Sequence, residues 1–324
     1  MSGKVEFANF VCKFGDNNLL DLAKDIVIPS FFCKEKRTYG DTRFIFNDVQ
    51  LINVNGLGLL AGRIIKDTLL KRDQIYDDEK GIIKNSSSLE SAPSAIFVLI
   101  LNNHKLIYFD ETSYAPKITE FRNTIKKFIN NKWVDYINER HSEYKRLNIK
   151  KKKSEVKEEV GKPDINIIPL QDEEDLSDFI QQLHRVNRLI LSIYKRNDEY
   201  DEDEFIDGIS KSHNVLGSNK TELTYSAGVK DSQGLFKNHI MKIIGPPIKK
   251  GFITIKLEGI DQNGLVVKRI SDEIKARSSF IKISDSVADT ALKLLEIYKS
   301  KLPYIDNAIN EEAVKSILSL KYEN

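Results

Sequence analysis

Gly56, Gly58 and Gly62 form the first spacing in this sequence that could do chemistry, because glycines after an apolar strand let a backbone approach a pyrophosphate at a helix start. The surroundings argue against it. Leu59 to Ile65 alternates as a strand and no strand-helix-strand unit encloses the glycines, so they read as a turn and bulge. The acidic run Asp198, Glu199, Asp201, Glu202, Asp203 and Glu204 offers hard oxygen ligands for calcium or magnesium. A calcium loop needs alternating ligands and a glycine at its sixth position; these acids are nearly consecutive, so a solvated acidic loop or helix start is expected. Pro163-Asp164 with Glu173 comes nearest to a metal-dependent nuclease, whose site gathers two carboxylates and a lysine, but the lysine is missing at a workable spacing. The sequence holds no nucleophile elbow, phosphate-binding loop or His-Glu-x-x-His helix. His104, His141, His184, His213 and His239 are not spaced as a metal pair on one helix face, and Cys12 and Cys33, among Phe10, Phe14, Phe31 and Phe32, read as buried free thiols. No catalytic residue, metal or cofactor is therefore expected, the alternative being a metal-dependent nuclease of dispersed site.

Charge distribution says more. Lys117 to Lys153 carries 12 basic and 4 acidic residues, a net of +8, whereas Gln171 to Asp207 carries 4 basic and 12 acidic, a net of −8. Lys237 to Lys282 returns to +6, with 10 basic and 4 acidic residues. Positive surface of this kind attracts phosphate backbones by counterion release, independently of base sequence. The candidate phosphate contacts are Lys237, Lys242, Lys249, Lys250, Lys268, Arg269, Lys275 and Arg277, with Lys150, Lys151, Lys152 and Lys153 as a second line. The bland reading of the same residues is a solvated face, or opposed segments that dock head to tail in a scaffold without nucleic acid.

The elements that must position these residues point to an α+β chain of two domains, each a mainly antiparallel sheet covered by helices. At 324 residues with 40% apolar and 30% charged composition, the chain is long enough for two cores. Val5 to Phe14 alternates, with Val5, Phe7 and Val11 on one face and Ala8, Phe10, Cys12 and Phe14 on the other. A helix is predicted from Asn18 to Ile26, stopping before Pro29. Strands follow at Arg43 to Val54 and Leu57 to Ile65 about Asn55-Gly56, then at Ile96 to Leu101 and Leu106 to Phe109 after a Ser-rich loop from Asn85 to Ser94. A long helix opens at Ala115-Pro116 with Ile118, Phe121, Ile125, Phe128, Ile129, Trp133 and Tyr136 at helical spacing. Residues 1–150 make the first domain, 151–163 a charged linker with almost nothing apolar, and 164–324 the second domain. That second part reads as strand Ile165 to Leu170, helix Asp172 to Leu183, strands Arg188 to Tyr194 and Thr221 to Tyr225 around an acidic stretch and a short helix, and an amphipathic helix Gln233 to Ile244 stopped by Gly245-Pro246-Pro247. A hairpin Phe252 to Glu258 and Leu265 to Ile270 comes next, then helices at Ser284 to Leu302 and Asn307 to Leu320. The longest apolar run, Ala95 to Leu101, is too short to cross a bilayer, and Met1-Ser2-Gly3-Lys4 has no apolar signal core, so a cytoplasmic protein is expected.

The order of features resembles the RexA-like phage-exclusion family. It rests on Pro93 to Val98 followed by a hairpin and the Ala115-Pro116 helix, then Ile168-Pro169-Leu170 before an acidic helix, the helix at Phe236 to Ile244 with Pro247, and the strands Ile253-Thr254-Ile255 and Gly264-Leu265-Val266. The likeness is one of layout across most of the chain, and this chain is longer than usual members around the linker. It implies an antiviral defence sensor that binds DNA as a homodimer and acts through a membrane-protein partner, without inserting in the membrane itself. The expectation from sequence is therefore a non-enzymatic DNA-binding sensor or regulatory subunit.

Overall fold

The computed structural model describes residues 2–197, 204–228, 233–281, 284–302 and 311–320. The chain opens with β1 (Ser2–Phe14), a π-turn Ala23–Val27 and α1 (Ile28–Phe32), then β2 (Arg37–Tyr39), β3 (Thr42–Val54), β4 (Leu57–Asp77), β5 (Gly81–Ser91), β6 (Ser94–Ile100) and β7 (Lys105–Asp110). Two helices, α2 (Ile118–Arg146) and α3 (Lys153–Val160), lead to β8 (Pro163–Pro169), α4 (Glu173–Gln182), β9 (Arg185–Tyr194), α5 (Glu204–Leu216) and β10 (Lys220–Ser226). The last part holds α6 (Lys237–Lys250), β11 (Ile253–Ile260), β12 (Val266–Ile270), β13 (Arg277–Ile281), α7 (Val287–Lys301) and α8 (Glu311–Leu318).

The fold is α+β, with antiparallel pairing throughout. Nine strands form one curled sheet in the order β13-β1-β7-β6-β4-β3-β2, with β5 added to β4 and β8 to β1; the other four form a sheet in the order β10-β9-β11-β12. The segment 151–163 does not divide these sheets. Strands β8 and β13 both hydrogen-bond to β1, through Ala8 to Phe14 and Ser2 to Glu6 respectively, so the four-stranded sheet is an insertion between two strands of the larger one. The segment expected to be an apolar-poor linker contains α3, which buries Val156 and Val160 against α2.

Alternation on β1 sorts the large sheet's two cores as its sequence implies. Ala8, Phe10, Cys12 and Phe14 face α1, α2 and α3, while Val5 and Phe7 face α7. A third core lies between the four-stranded sheet and helices α4 and α6. The glycines considered for phosphate binding have turn and packing roles. Asn55-Gly56 turns β3 into β4, and Gly62 lies opposite Phe97 in the β4–β6 ladder, where an added Cβ would stand 2.8 Å from the Phe97 ring and 2.9 Å from Val49.

Three local expectations are corrected. Pro29 sits in the first turn of α1, where a missing N–H costs nothing, so it starts a helix instead of stopping one. The Ser-rich segment is strand β5, held by β4. Helix α6 runs through Gly245-Pro246-Pro247 to Lys250, because Ile244, Pro247 and Ile248 are buried against the small sheet, and it ends at Gly251 in the left-handed conformation. Helix α8 is described from Glu311 onward, and the acidic residues 198–203 lie outside the described residues.

Candidate nucleic-acid interface

The C-terminal set of candidate phosphate contacts is placed on several elements, and most of its members already face a carboxylate. Lys275 Nζ is 3.2 Å from both Glu6 and Asp272, and the Arg277 guanidinium is 3.6 Å from Glu6. On β12, Lys268 is 3.3 Å from Glu258 and Arg269 is 3.5 Å from Glu273, with the Arg269 guanidinium 5.1 Å over the Phe179 ring. Lys249 pairs with Glu173 at the start of α4. Lys237 donates to the carbonyl oxygens of Gln181 and Leu183 and so closes the end of α4. Lys250 lies 5.9 Å from the Phe252 ring, while Lys242 projects from α6 to solvent without an ion pair among the described residues.

Glu6 shows why these cations are poor phosphate ligands. Its side chain is 14% exposed and shared by Lys4, Lys275 and Arg277. Burial pushes its carboxyl upward, and Lys4 and Lys275 outweigh that effect and hold it below the ordinary carboxylate value. A depressed carboxylate contributes stability present above the unfolded value, about 4.3, and lost as pH falls through the folded one. Glu6→Gln is expected to cost about 2 kcal/mol, less than the full penalty for a broken buried pair because Lys275 keeps Asp272, and to flatten the acid limb of a chemical-denaturation stability profile.

The two sheets meet around Asn197 and Phe252. Asn197 accepts from the Cys12 amide and donates to the Phe10 carbonyl, both at 3.0 Å, so its amide stands in for a neighbouring strand on the edge of β1. Lys105, which is buried, donates to Asn9 and to the Lys250 carbonyl; it and Arg196 place their charges 5.5 Å and 4.8 Å from the Phe252 ring. Beside this junction His213 is buried on α5 with Nε2 2.8 Å from the Thr221 hydroxyl. Burial, together with Lys195 and Arg196, lowers its pKa. A depressed imidazole resists protonation, so stability is expected to fall below about pH 6.5 as the unfolded chain takes up that proton, and His213→Gln to remove this component in denaturant titrations across pH 5 to 8.

A cavity of about 320 Å³ opens between the sheets, lined by Glu6, Arg122, Tyr194, Lys256, Asp272 and Lys275 among others. Its charges are of both signs and largely paired within its own wall, with Lys256 additionally 3.3 Å from Glu258. The pair considered for a nuclease is dispersed in its bonding: Asp164 accepts from Asn166 within β8 and Glu173 pairs with Lys249. Among the described residues no three His, Cys, Asp or Glu side chains gather in a way that could hold a metal ion. Cys12 is buried and Cys33 half-buried, both free, and burial raises both thiols.

The second-line residues stand differently. Lys150, Lys152 and Lys153 are exposed between α2 and α3 without an ion pair among the described residues; Lys151 pairs with Glu159 and lies 4.8 Å over the Tyr144 ring. Lys145 and Arg146, in the last turn of α2, extend the same corner, and Leu147 and Ile149 are exposed within it. The reading from sequence took the +8 net charge of this stretch as support but did not place Lys145 and Arg146 among the contacts, although both were legible beside the Lys150 to Lys153 run.

No protein-family model matches this chain, and no curated protein does either. The functional reading therefore rests on the residues themselves. Among the described residues no helix is long and apolar enough to cross a membrane.

Proposed function

We propose that the protein is a non-enzymatic nucleic-acid-binding subunit that grips the phosphate backbone of DNA through the corner between α2 and α3. The observation that carries this reading is the concentration of Lys145, Arg146, Lys150, Lys152 and Lys153 at one exposed place, each without an ion pair among the described residues. Unpaired cations release counterions when a phosphate arrives, whereas Lys249, Lys268, Lys275 and Arg277 would first have to leave Glu173, Glu258 and Glu6. A role as sensor in an antiviral exclusion system, acting with a membrane-protein partner, is the finer part of the proposal and rests on the RexA-like order of elements alone.

Fluorescence anisotropy of purified protein with an unrelated DNA duplex across a salt series tests the reading. Affinity that falls linearly with salt on logarithmic axes supports backbone binding and gives the number of phosphates neutralised. Absence of binding at low salt removes it. Lys249→Glu is expected to change affinity by less than about threefold, because its charge is already engaged with Glu173.

A second reading, an interaction subunit that works without nucleic acid, is favoured by one specific feature. The ribbon formed by β4 and β5 exposes Leu69, Tyr76, Ile82 and Leu89.

A further inference from the structure

Helices α4 and α6 cover one face of the four-stranded sheet, and side chains of its other face line the cavity between the sheets. Leu189, Leu191 and Ile193 of β9 and Ile253, Ile255 and Leu257 of β11 enter the covered core, so the side chains between them point the other way. The ladder sets Ser192 beside Thr254, and Lys256 opposite Ile270 of β12, while Tyr194 follows Ser192 on the same face at the end of β9. All five line the cavity of about 320 Å³. Phe7, Ile167 and Pro169 of the large sheet and Ile118, Thr119 and Arg122 of α2 supply further walls. Thr119 and Arg122 are one turn apart on α2, which brings a hydroxyl and a guanidinium to the cavity from one helix face.

Charge and size decide what the cavity can take. Two carboxylates line it, Glu6 and Asp272; Lys275 is 3.2 Å from both, and Glu6 is also shared with Lys4 and Arg277. Lys256 and Lys268 divide a single carboxylate, Glu258, each at 3.3 Å. Arg122, half-buried, makes no ion pair among the described residues. Positive charge is therefore left over at this wall, and its unpaired member carries a planar fork that matches phosphate oxygens two at a time. A volume of about 320 Å³ lies at the lower end of the roughly 300–1,000 Å³ of small-molecule sites, which admits one compact molecule and excludes a strand. The half-buried Tyr194 ring and the hydroxyls of Thr119 and Thr254 complete a wall with an aromatic surface, polar groups and one free cation.

We propose that this cavity binds a nucleoside monophosphate, its phosphate on Arg122 and its planar base against Tyr194. A phosphate monoester carries about −1.5 to −2 charge at neutral pH, which answers the positive excess, and a base offers a flat face to the tyrosine ring. The inference does not rest on DNA binding at the α2–α3 corner. Arg122 and Lys145 stand about 35 Å apart along α2, at about 1.5 Å per residue.

Isothermal titration calorimetry of the full chain with adenosine, guanosine, cytidine and uridine monophosphates tests it, beside inorganic phosphate, ribose 5-phosphate and adenosine. At least one monophosphate is expected to bind once per chain with a dissociation constant below about 1 mM. It is expected to bind at least about fivefold tighter than any of the three fragments, because only the whole molecule reaches both Arg122 and Tyr194. Arg122→Gln is expected to weaken that binding about tenfold, and Arg122→Lys by less, since it keeps the charge and loses the fork. Tyr194→Leu, which keeps bulk and removes the ring, is expected to weaken it about fivefold. Circular dichroism shows that each variant folds, and Lys153→Gln, at the distant corner, is expected to leave nucleotide affinity unchanged. Absence of binding by all four monophosphates overturns the proposal, as does binding indifferent to both Arg122→Gln and Tyr194→Leu, or a loss from Lys153→Gln equal to that from Arg122→Gln.

Discussion

Replacing Lys150, Lys152 and Lys153 together by glutamine is expected to weaken duplex binding at about 0.1 M salt by two to three orders of magnitude and to lower the salt slope by roughly 2.7. The magnitude follows from the counterion account, in which each phosphate contact contributes about 0.9 to the slope and about a decade of affinity at that salt concentration. The three residues are exposed, and none of their side chains has an ion pair among the described residues, so the change subtracts charge while leaving the bond from the Lys152 amide to Glu155 in place. Folding is expected to be unaffected, because Val156 and Val160 hold α3 against α2 from its other face. The loss should be similar for every duplex sequence, since backbone contacts carry no base information. The contrast with Lys249→Glu is what makes the experiment informative. A loss from Lys249→Glu alone would place the interface on α6 instead of the α2–α3 corner, and no loss from either change would remove both.

Phe97→Ala is expected to destabilise the protein by about 4 kcal/mol, a large part of the 5–15 kcal/mol available to a typical folded domain. Phe97 is fully buried on β6, with ring centroids 5.4 Å from Phe31, 5.3 Å from Phe46 and 5.1 Å from Phe121. Its ring also covers Gly62 on the neighbouring strand. Truncation therefore loses the buried apolar area, three aromatic contacts and the cover over bare backbone at once, and the rigid sheet beneath cannot collapse to fill the space. Urea unfolding should show a lower midpoint with an unchanged slope. Phe97→Leu, which fills most of the volume, should cost clearly less. An effect below about 1 kcal/mol for the alanine variant would mean that this aromatic cluster is not the centre of the larger core.

Much of the local structure was legible in the sequence, because it is set by neighbours along the chain. The period of two assigned Val5 and Phe7 to one core and Ala8, Phe10, Cys12 and Phe14 to the other, and Asn55-Gly56 marked the β3–β4 turn. The spacing of Phe121, Ile125, Phe128, Ile129 and Trp133 gave the buried face of α2, and Asp172 was read as opening α4, where its carboxylate accepts from the Glu174 and Asp175 amides. The basic character of Lys117 to Lys153 was equally plain, as was the α+β class.

What tertiary structure alone decided depends on residues far apart in the chain. The pairing of β8 and β13 with β1 makes the small sheet an insertion, and no periodicity within either strand reports its partner. Helix α6 passes two prolines because apolar burial against the small sheet outweighs the lost hydrogen bonds, a balance that propensity does not contain. The Ser-rich segment becomes strand β5 because β4 offers it a ladder. The candidate interface changed for the same reason: Lys275 and Arg277 count as positive charge in the sequence, but in the fold both face Glu6, more than 260 positions away, and Lys275 also faces Asp272. Lysine content is a property of the chain, whereas which lysines still offer their charge to solvent is settled only when the carboxylates have been brought beside them.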